Sequence, residues 1–140
     1  MKKIKTLKKN YEFQNVLSKG KFYTGKYVTI AVMDNNRRNI NLLGIAVSTK
    51  NGKAFQRNRL KRIIRESYNK IENYMKSGFS IVILLKKDFS IDEINYNLIL
   101  ADMKQILNQA KVMIEEWKNE ESTYFFYKLL PKVHIENFRK

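Results

Sequence analysis

Side chains that bind phosphate are concentrated in one short stretch, residues 50–65. Seven cations occur there with no carboxylate before Glu66, and they are Lys50, Lys53, Arg57, Arg59, Lys61, Arg62 and Arg65. A guanidinium group carries several donors in one plane and can engage two phosphate oxygens at once. Asn58, which lies among these cations, can hydrogen-bond a phosphate, a sugar hydroxyl or a base edge. The stretch therefore predicts a surface that binds a polyanion.

The spacing of these residues predicts a two-sided helix from Ala54 or Phe55 to Met75. Each residue advances about 100° around a helix axis. With Arg57 as zero, the polar residues fall between roughly 40° and 200°, and they are Lys61, Arg65, Asn58, Arg62 and Arg59. The apolar residues fall between roughly 240° and 20°, and they are Ile63, Tyr74, Leu60, Ile71, Ile64 and Tyr68. The alternative to a binding surface is an ordinary solvated basic face.

The residue inventory excludes several kinds of catalytic site. The 140 residues include no cysteine and a single histidine, His134, which excludes thiol nucleophiles, disulfides and any site that needs two histidines. Asp88, Asp92 and Glu93 lie close in sequence and raise the hypothesis of a protein-only nuclease. A helix cap that begins at Ser90 explains Asp92 and Glu93 without any catalytic role.

The charge of the whole chain agrees with a polyanionic partner. Lys and Arg number 28 against 13 Asp and Glu, which gives a formal net charge of +15 and points to nucleic acid or an anionic membrane surface. The longest apolar run, residues 81–85, is too short to span a membrane. No apolar segment follows the basic amino terminus, so no secretory signal is predicted. We therefore expect one cytoplasmic domain without a membrane partner.

The first half of the chain predicts one helix and two or three antiparallel strands. Residues 10–17 have the spacing of a short helix, and residues 27–33 and 42–48 have strand patterns. Whether Phe22 and Tyr23 begin a further strand is left open. Residues 42–48 are apolar on both faces, which favours a central position in the sheet.

The second half predicts a strand and a long helix after the basic helix. Gly78 is expected to end the basic helix, and residues 79–85 form a strand parallel to residues 42–48 because a helix lies between them. The capping box Ser90 to Glu93 then opens a helix that extends to about Trp117.

Several short motifs occur in a fixed order between about residues 7 and 107. They are Leu7 to Asn10, Phe13, Gln14, Val16, Gly20, Gly44 to Ser48, Lys50, Arg57 to Arg62 and Arg65. In this order they resemble the protein subunit of bacterial ribonuclease P. The resemblance implies an α+β fold with a single mixed sheet, in the order helix-strand-strand-strand-helix-strand-helix, and a left-handed crossover through the basic helix. Residues 1–117 would form the RNA-binding domain and residues 118–140 a carboxyl-terminal extension of unknown role.

The resemblance also implies a function. In that family a large RNA is the catalyst, and the small basic protein assists Mg²⁺-dependent removal of the 5′ leader from precursor tRNA. The holoenzyme would be an endoribonuclease, and this chain its accessory subunit without catalytic or metal-binding residues. The implied partners are the catalytic RNA subunit and precursor tRNA, with no stable protein partner and with Mg²⁺ held mainly by RNA. The alternative is a ribosomal or general basic RNA-binding module without a role in cleavage.

Site residues transfer position by position. The family's RNA-binding region corresponds to Arg57, Asn58, Arg59, Lys61, Arg62 and Arg65, with Lys50 in the preceding loop, and Lys53 completes the predicted set. Phe13 corresponds to a position in a cleft between the first helix and the sheet, where aromatic rings stack on leader bases. Leu17 and Ile30 stand where relatives often carry an aromatic residue, so neither is expected to stack on a base.

Overall fold

The computed structural model describes residues 4–35, 40–87, 89 and 91–114. Its elements are α1 (Asn10–Lys19), β1 (Lys21–Thr24), β2 (Val28–Asp34), β3 (Leu42–Ala46), α2 (Ala54–Glu72), β4 (Phe79–Leu85) and α3 (Tyr96–Gln109), with 3₁₀ turns at Thr49–Asn51 and Ile91–Glu93. This order confirms the predicted succession of helices and strands in an α+β fold. Phe22 and Tyr23 do form a strand, β1.

The four strands form one mixed sheet in the order β1-β2-β4-β3. Strand β2 is antiparallel to both β1 and β4, whereas β3 is parallel to β4 as predicted. The predicted central position of β3 was wrong, because β3 is the last strand of the sheet. Its outer edge is covered by the amino-terminal segment, where the Leu7 N–H donates to Leu43 O at 2.9 Å and the Leu43 N–H donates to Lys5 O at 3.0 Å.

Helices cover both faces of the sheet, which explains why β3 is apolar on both sides. One face packs against α2 and α3 in the main core, which includes Ile30, Leu43, Ile81, Ile83, Leu60, Ile64, Tyr68, Ile99 and Met103. The other face packs against α1 in a smaller core of Leu7, Val16, Ala31 and Val82. Successive residues of a strand point to opposite faces. Strand β3 therefore needs cover on both sides, although it lies at the edge.

Helix α2 begins at Ala54 as predicted but ends at Glu72, three residues before Met75. The Tyr74 N–H bonds Ile71 O and the Met75 N–H bonds Glu72 O, so the chain tightens into turns that cannot continue the helix. Gly78, with φ of 101°, lies after these turns and leads into β4 rather than capping the helix. The left-handed sense of the crossover through α2 stays a prediction of the resemblance.

Helix α3 begins later and ends earlier than predicted. It begins at Tyr96 because Asn95, whose side-chain oxygen accepts from the Leu98 N–H at 3.0 Å, is the residue that caps it. The predicted cap at Ser90 lies outside the described residues, and Asp92 and Glu93 lie in a 3₁₀ turn instead. The helix ends at Gln109, whereas the predicted end, Trp117, lies outside the described residues.

The segment after α3 returns to the core without helical structure. Lys111 adopts a φ of 61°, a left-handed conformation that reverses the chain. Met113 then forms a bridge with Met75, and both Val112 and Met113 are buried. Within the described ranges, no helix has the length and apolar composition needed to cross a membrane.

Candidate nucleic-acid interface

The basic helix α2 is two-sided, as its spacing predicts. Its buried residues are Leu60, Ile64, Ser67, Tyr68, Ile71 and Glu72. Along the other side, Asn58, Arg59, Arg62 and Arg65 are exposed, and Arg57 and Lys61 are half-buried. We call these six residues, together with the exposed Lys50 and Lys53 of the preceding loop, the basic surface. The structure therefore brings together all eight predicted RNA-binding residues at α2 and its amino-terminal loop.

The cations of the basic surface are not paired with carboxylates in the part of the chain that the structure describes. Arg59 makes one weak contact, in which a guanidinium nitrogen lies 3.5 Å from the backbone oxygen of Ile94. Arg62 and Arg65, like Lys50 and Lys53, are exposed to solvent. A surface of this kind attracts phosphate and can bind it without first breaking internal ion pairs.

A network of short contacts holds the loop that carries Lys50 and Lys53. Ser48 Oγ accepts from the Lys50 N–H at 3.1 Å, and the Ser48 N–H donates to Asn51 Oδ1 at 3.1 Å. The buried Asn51 also donates from Nδ2 to the backbone oxygen of Lys86 at 3.0 Å, which ties the loop to the end of β4. These hydrogen bonds therefore fix the backbone of the loop from which the Lys50 and Lys53 side chains extend. The sequence analysis did not assign this role to Asn51.

Phe13 lies on the opposite face of the sheet from α2. Its half-buried ring packs with Leu17, Leu42, Met33 and Leu84 around the smaller core. A Cβ built on Gly44 would lie 2.6 Å from Cε1 of Phe13, so the ring sits directly against the backbone of β3. Phe13 is therefore held in place while part of its ring stays accessible.

The same sheet face continues beyond α1 as an open groove. Phe22 is 50% exposed there, and Thr29 and Leu84 contribute to the floor. Lys86 and Lys87 stand at the rim, with Lys86 Nζ donating to the Gly25 backbone oxygen at 3.1 Å. We call this surface, together with Phe13, the sheet cleft. Phe22 was not predicted as a cleft residue; it pairs with Ala31 and therefore lies on the same face of the sheet.

Ile30 faces away from the sheet cleft, which agrees with the expectation that it does not stack on a base. It is fully buried against α2 and α3, on the other face of the sheet. Its neighbours Thr29 and Ala31 are the β2 residues that face the cleft. Leu17 does pack beside Phe13 but is half-buried.

The carboxylates do not form a metal site among the described residues. No group of three or more His, Asp or Glu side chains there could hold a metal ion. Asp92 and Glu93 are exposed on the 3₁₀ turn, and Asp88 lies outside the described residues. The donors gathered at the basic surface are cationic, and such groups do not fit Mg²⁺, which takes oxygen ligands.

Comparisons with known proteins agree on one family. A family model described as Ribonuclease P matches residues 1–111. The ribonuclease P protein component of Natranaerobius thermophilus is 34% identical over 113 residues, which cover 81% of this chain and 96% of that protein. The one from Fusobacterium nucleatum is 35% identical over 112 residues, which cover 79% of this chain and 100% of that protein.

Solved structures give the same result. The Staphylococcus aureus RNase P protein has a TM-score of 0.70 at 27% identity and covers 79% of this chain and 99% of its own. The Thermotoga maritima RNase P protein has a TM-score of 0.68 at 26% identity and covers 75% of this chain and 96% of its own. With this fold and this basic surface, the chain belongs to the ribonuclease P protein family.

Proposed function

We propose that the chain binds the catalytic RNA of ribonuclease P through the basic surface and the 5′ leader of precursor tRNA through the sheet cleft. It would thereby assist endonucleolytic removal of the leader, while the RNA performs the chemistry. The observation that carries the proposal is the arrangement of the two surfaces. The basic surface and Phe13 lie on opposite faces of one sheet, so two RNA strands can be held at the same time.

The basic surface suits a folded RNA. Its arginines project from one side of a rigid helix, and each can engage a phosphate with two parallel hydrogen bonds. Asn58 stands between Arg57 and Arg59 and is exposed, so it can contact a sugar hydroxyl or a base edge. These features support recognition of RNA shape and backbone more than recognition of a long sequence.

The sheet cleft suits a single strand. The accessible part of Phe13 and the exposed ring of Phe22 offer apolar surfaces on which unpaired bases can stack. Lys87 is exposed at the rim, where it can follow the phosphates of that strand. A paired duplex would not present its base faces to these rings, so an unpaired leader is the better ligand.

Mg²⁺ enters this proposal as a cofactor of the RNA. Because the basic surface would repel a cation, we propose that RNA and substrate phosphates hold the metal. No step is assigned to a metal on the protein. The carboxylates of Asp92 and Glu93 are assigned no catalytic role, since both are exposed on the 3₁₀ turn and belong to no metal-binding group among the described residues.

Two further proposals concern the extent and location of the chain. We propose that residues 1–117 form the RNA-binding domain and that residues 118–140 are an extension, since the family match ends at residue 111. We also propose a cytoplasmic location, where precursor tRNA and the catalytic RNA would be available. The general RNA-binding alternative gains no support from the comparisons, all of which name ribonuclease P.

Reconstituted cleavage tests the proposal. The purified chain alone should leave precursor tRNA intact, and adding it to the cognate catalytic RNA at low Mg²⁺ should raise the cleavage rate. Affinity should also grow as leader nucleotides are added one at a time, and this dependence should weaken in Phe13→Ala. A general RNA-binding module would show neither rate enhancement nor leader dependence, and that result would overturn the proposal.

A further inference from the structure

Phe55 is a large apolar side chain that the protein leaves in solvent. It lies in the first turn of α2, two residues after the capping position Lys53. Its side chain is 70% exposed, the highest value among the exposed large hydrophobic residues of the described ranges. Phe55 is not among the buried residues of either hydrophobic core. The fold therefore gains little from a phenyl ring at this position.

The ring stands within the basic surface. On the angular scale that sets Arg57 at zero, Phe55 falls at roughly 160°, between Arg62 at roughly 140° and Arg59 at roughly 200°. Residues three and four positions apart are neighbours on a helix, so Phe55 adjoins Asn58 and Arg59. An isolated exposed aromatic residue needs no explanation by itself. One placed among cations that have no carboxylate partner within the described residues has a specific chemical use if that surface binds a polyanion.

That use is stacking on a nucleobase. Proteins that bind unpaired RNA combine cations that follow the backbone with aromatic rings that pack against base faces. A phenyl ring among phosphate-binding residues meets both conditions once RNA is bound. A duplex keeps its base faces stacked on one another, so the ring calls for a nucleotide that is not paired.

We propose that Phe55 stacks on an unpaired base of the catalytic RNA. The inference rests on the proposed function, because it takes the RNA at the basic surface to be the catalytic RNA. The leader is the less suitable ligand, since the sheet cleft that would hold it lies on the opposite face of the sheet from α2. Phe55 thus adds a stacking contact to a surface whose polar residues engage phosphates, sugars and base edges.

The test compares Phe55→Leu, which keeps an apolar side chain without the ring, with Phe55→Tyr, which keeps the ring. Binding to the catalytic RNA alone is measured over a range of salt concentrations. Phe55→Leu should bind about 5- to 150-fold more weakly, as expected for one lost aromatic-base stack. The slope of log K against log salt should not change, because no cation has been removed. Phe55→Tyr should bind within about 3-fold of the unmodified chain.

Fluorescence gives an independent readout. The chain has a single tryptophan, Trp117, so Trp117→Phe combined with Phe55→Trp places the only indole at the proposed stack. Its emission should be quenched when the catalytic RNA binds, and leader length should not alter this quenching. Quenching that instead requires the leader would overturn the proposal in favour of a leader contact.

RNA binding and unfolding measurements separate a failure of the proposed function from a failure of the stacking inference. If the unmodified chain does not bind the catalytic RNA, the proposed function fails, and the inference fails with it. If the unmodified chain binds and Phe55→Leu binds equally well, only the stacking inference fails. If Phe55→Leu clearly lowers the urea concentration at the unfolding midpoint of the full chain while Phe55→Tyr does not, the ring is covered by the chain itself, and the stacking inference is wrong.

Discussion

The ring of Phe13 lies against Gly44, close enough that a Cβ on Gly44 would fall 2.6 Å from Cε1 of the ring. No side chain other than hydrogen at position 44 leaves the ring where it is. Gly44 therefore sets the position of Phe13 over β3. It does so from inside the sheet, without itself needing to contact RNA.

Gly44→Ala is expected to displace the Phe13 ring and weaken leader binding. The methyl group overpacks this spot, and we expect a loss of about 1–3 kcal/mol in the free energy of unfolding. Affinity for precursor tRNA with a leader should fall, while affinity for the catalytic RNA alone should be kept. In a Phe13→Ala background the substitution should have no further effect on leader affinity. An equal loss in both backgrounds would show that Gly44 acts by another route.

Arg62→Gln is expected to weaken binding to the catalytic RNA and to reduce its salt dependence. Each lost phosphate contact should lower the magnitude of the log–log slope by about 0.7–0.9. Lys76→Gln is the matched control, because this exposed lysine lies beyond the end of α2 and outside the basic surface. The salt series should therefore separate the two variants. Equal slopes for Arg62→Gln and the unmodified chain would place the Arg62 side chain away from phosphate.

Asp102→Asn is expected to destabilise the fold. The buried carboxylate of Asp102 accepts from the backbone N–H groups of Lys26, Tyr27 and Val28 at 2.8, 2.9 and 3.1 Å, and so fixes the β1–β2 turn to α3. An amide nitrogen in place of one carboxylate oxygen would face a backbone N–H donor and leave it without an acceptor. The free energy of unfolding should fall by about 2–3 kcal/mol. Urea unfolding measures the loss. The exposed Asp92→Asn should change stability by less than about 0.5 kcal/mol, and equal effects would refute the anchoring role.

Lys104 is expected to make the fold more stable as pH rises from 8 towards 10. Burial lowers the pKa of Lys104 from 10.5 to about 8. Above pH 8 the unfolded chain therefore holds a proton that the folded chain has lost, and the free energy of unfolding rises by at most about 2–3 kcal/mol by pH 10. Below pH 8 both states are protonated, and the contribution of this group is constant.

The measurement compares the unmodified chain with Lys104→Met between pH 7 and pH 10. The difference between their pH profiles isolates Lys104, and Lys104→Met should lack the rise. Tyr68 acts in the opposite sense, because burial and the charge of Glu72 raise its pKa above the ordinary value of 10.0. Above pH 10 the hydroxyl ionises in the unfolded chain but not in the folded one, so the free energy of unfolding falls only beyond that pH. Parallel profiles below that pH would mean that Lys104 titrates normally.

The elements defined by local periodicity were predictable from the sequence. The two sides of α2 follow from the spacing of Arg57 to Arg65, and the parallel pairing of β3 with β4 follows from the helix between them. Strand β4 was predicted with its observed bounds, because its apolar run is continuous and ends in polar residues. In each case, neighbouring residues alone carry the information.

Features that depend on distant residues were not predictable in the same way. Two apolar faces on β3 indicate cover from both sides, but they do not distinguish a central strand from an edge strand under two layers of helices. The strand pattern alone does not show which face of the sheet Ile30 occupies, because a shift of one residue along a strand reverses the face. Asp102 interrupts the apolar stripe of α3, yet its partners are backbone amides more than 70 residues earlier. Only the assembled fold brings these groups together.

If the basic surface and the sheet cleft hold different RNA strands, site-specific crosslinking will assign a strand to each surface. The chain has no cysteine, so Asn58→Cys on the basic surface and Phe22→Cys in the sheet cleft each give one labelling position. A photoreactive group at each position is activated in the complex with catalytic RNA and precursor tRNA. We expect position 58 to crosslink to the catalytic RNA and position 22 to the leader. Crosslinking of both positions to the same strand, or of position 58 to the leader, would show that the two surfaces do not hold separate strands.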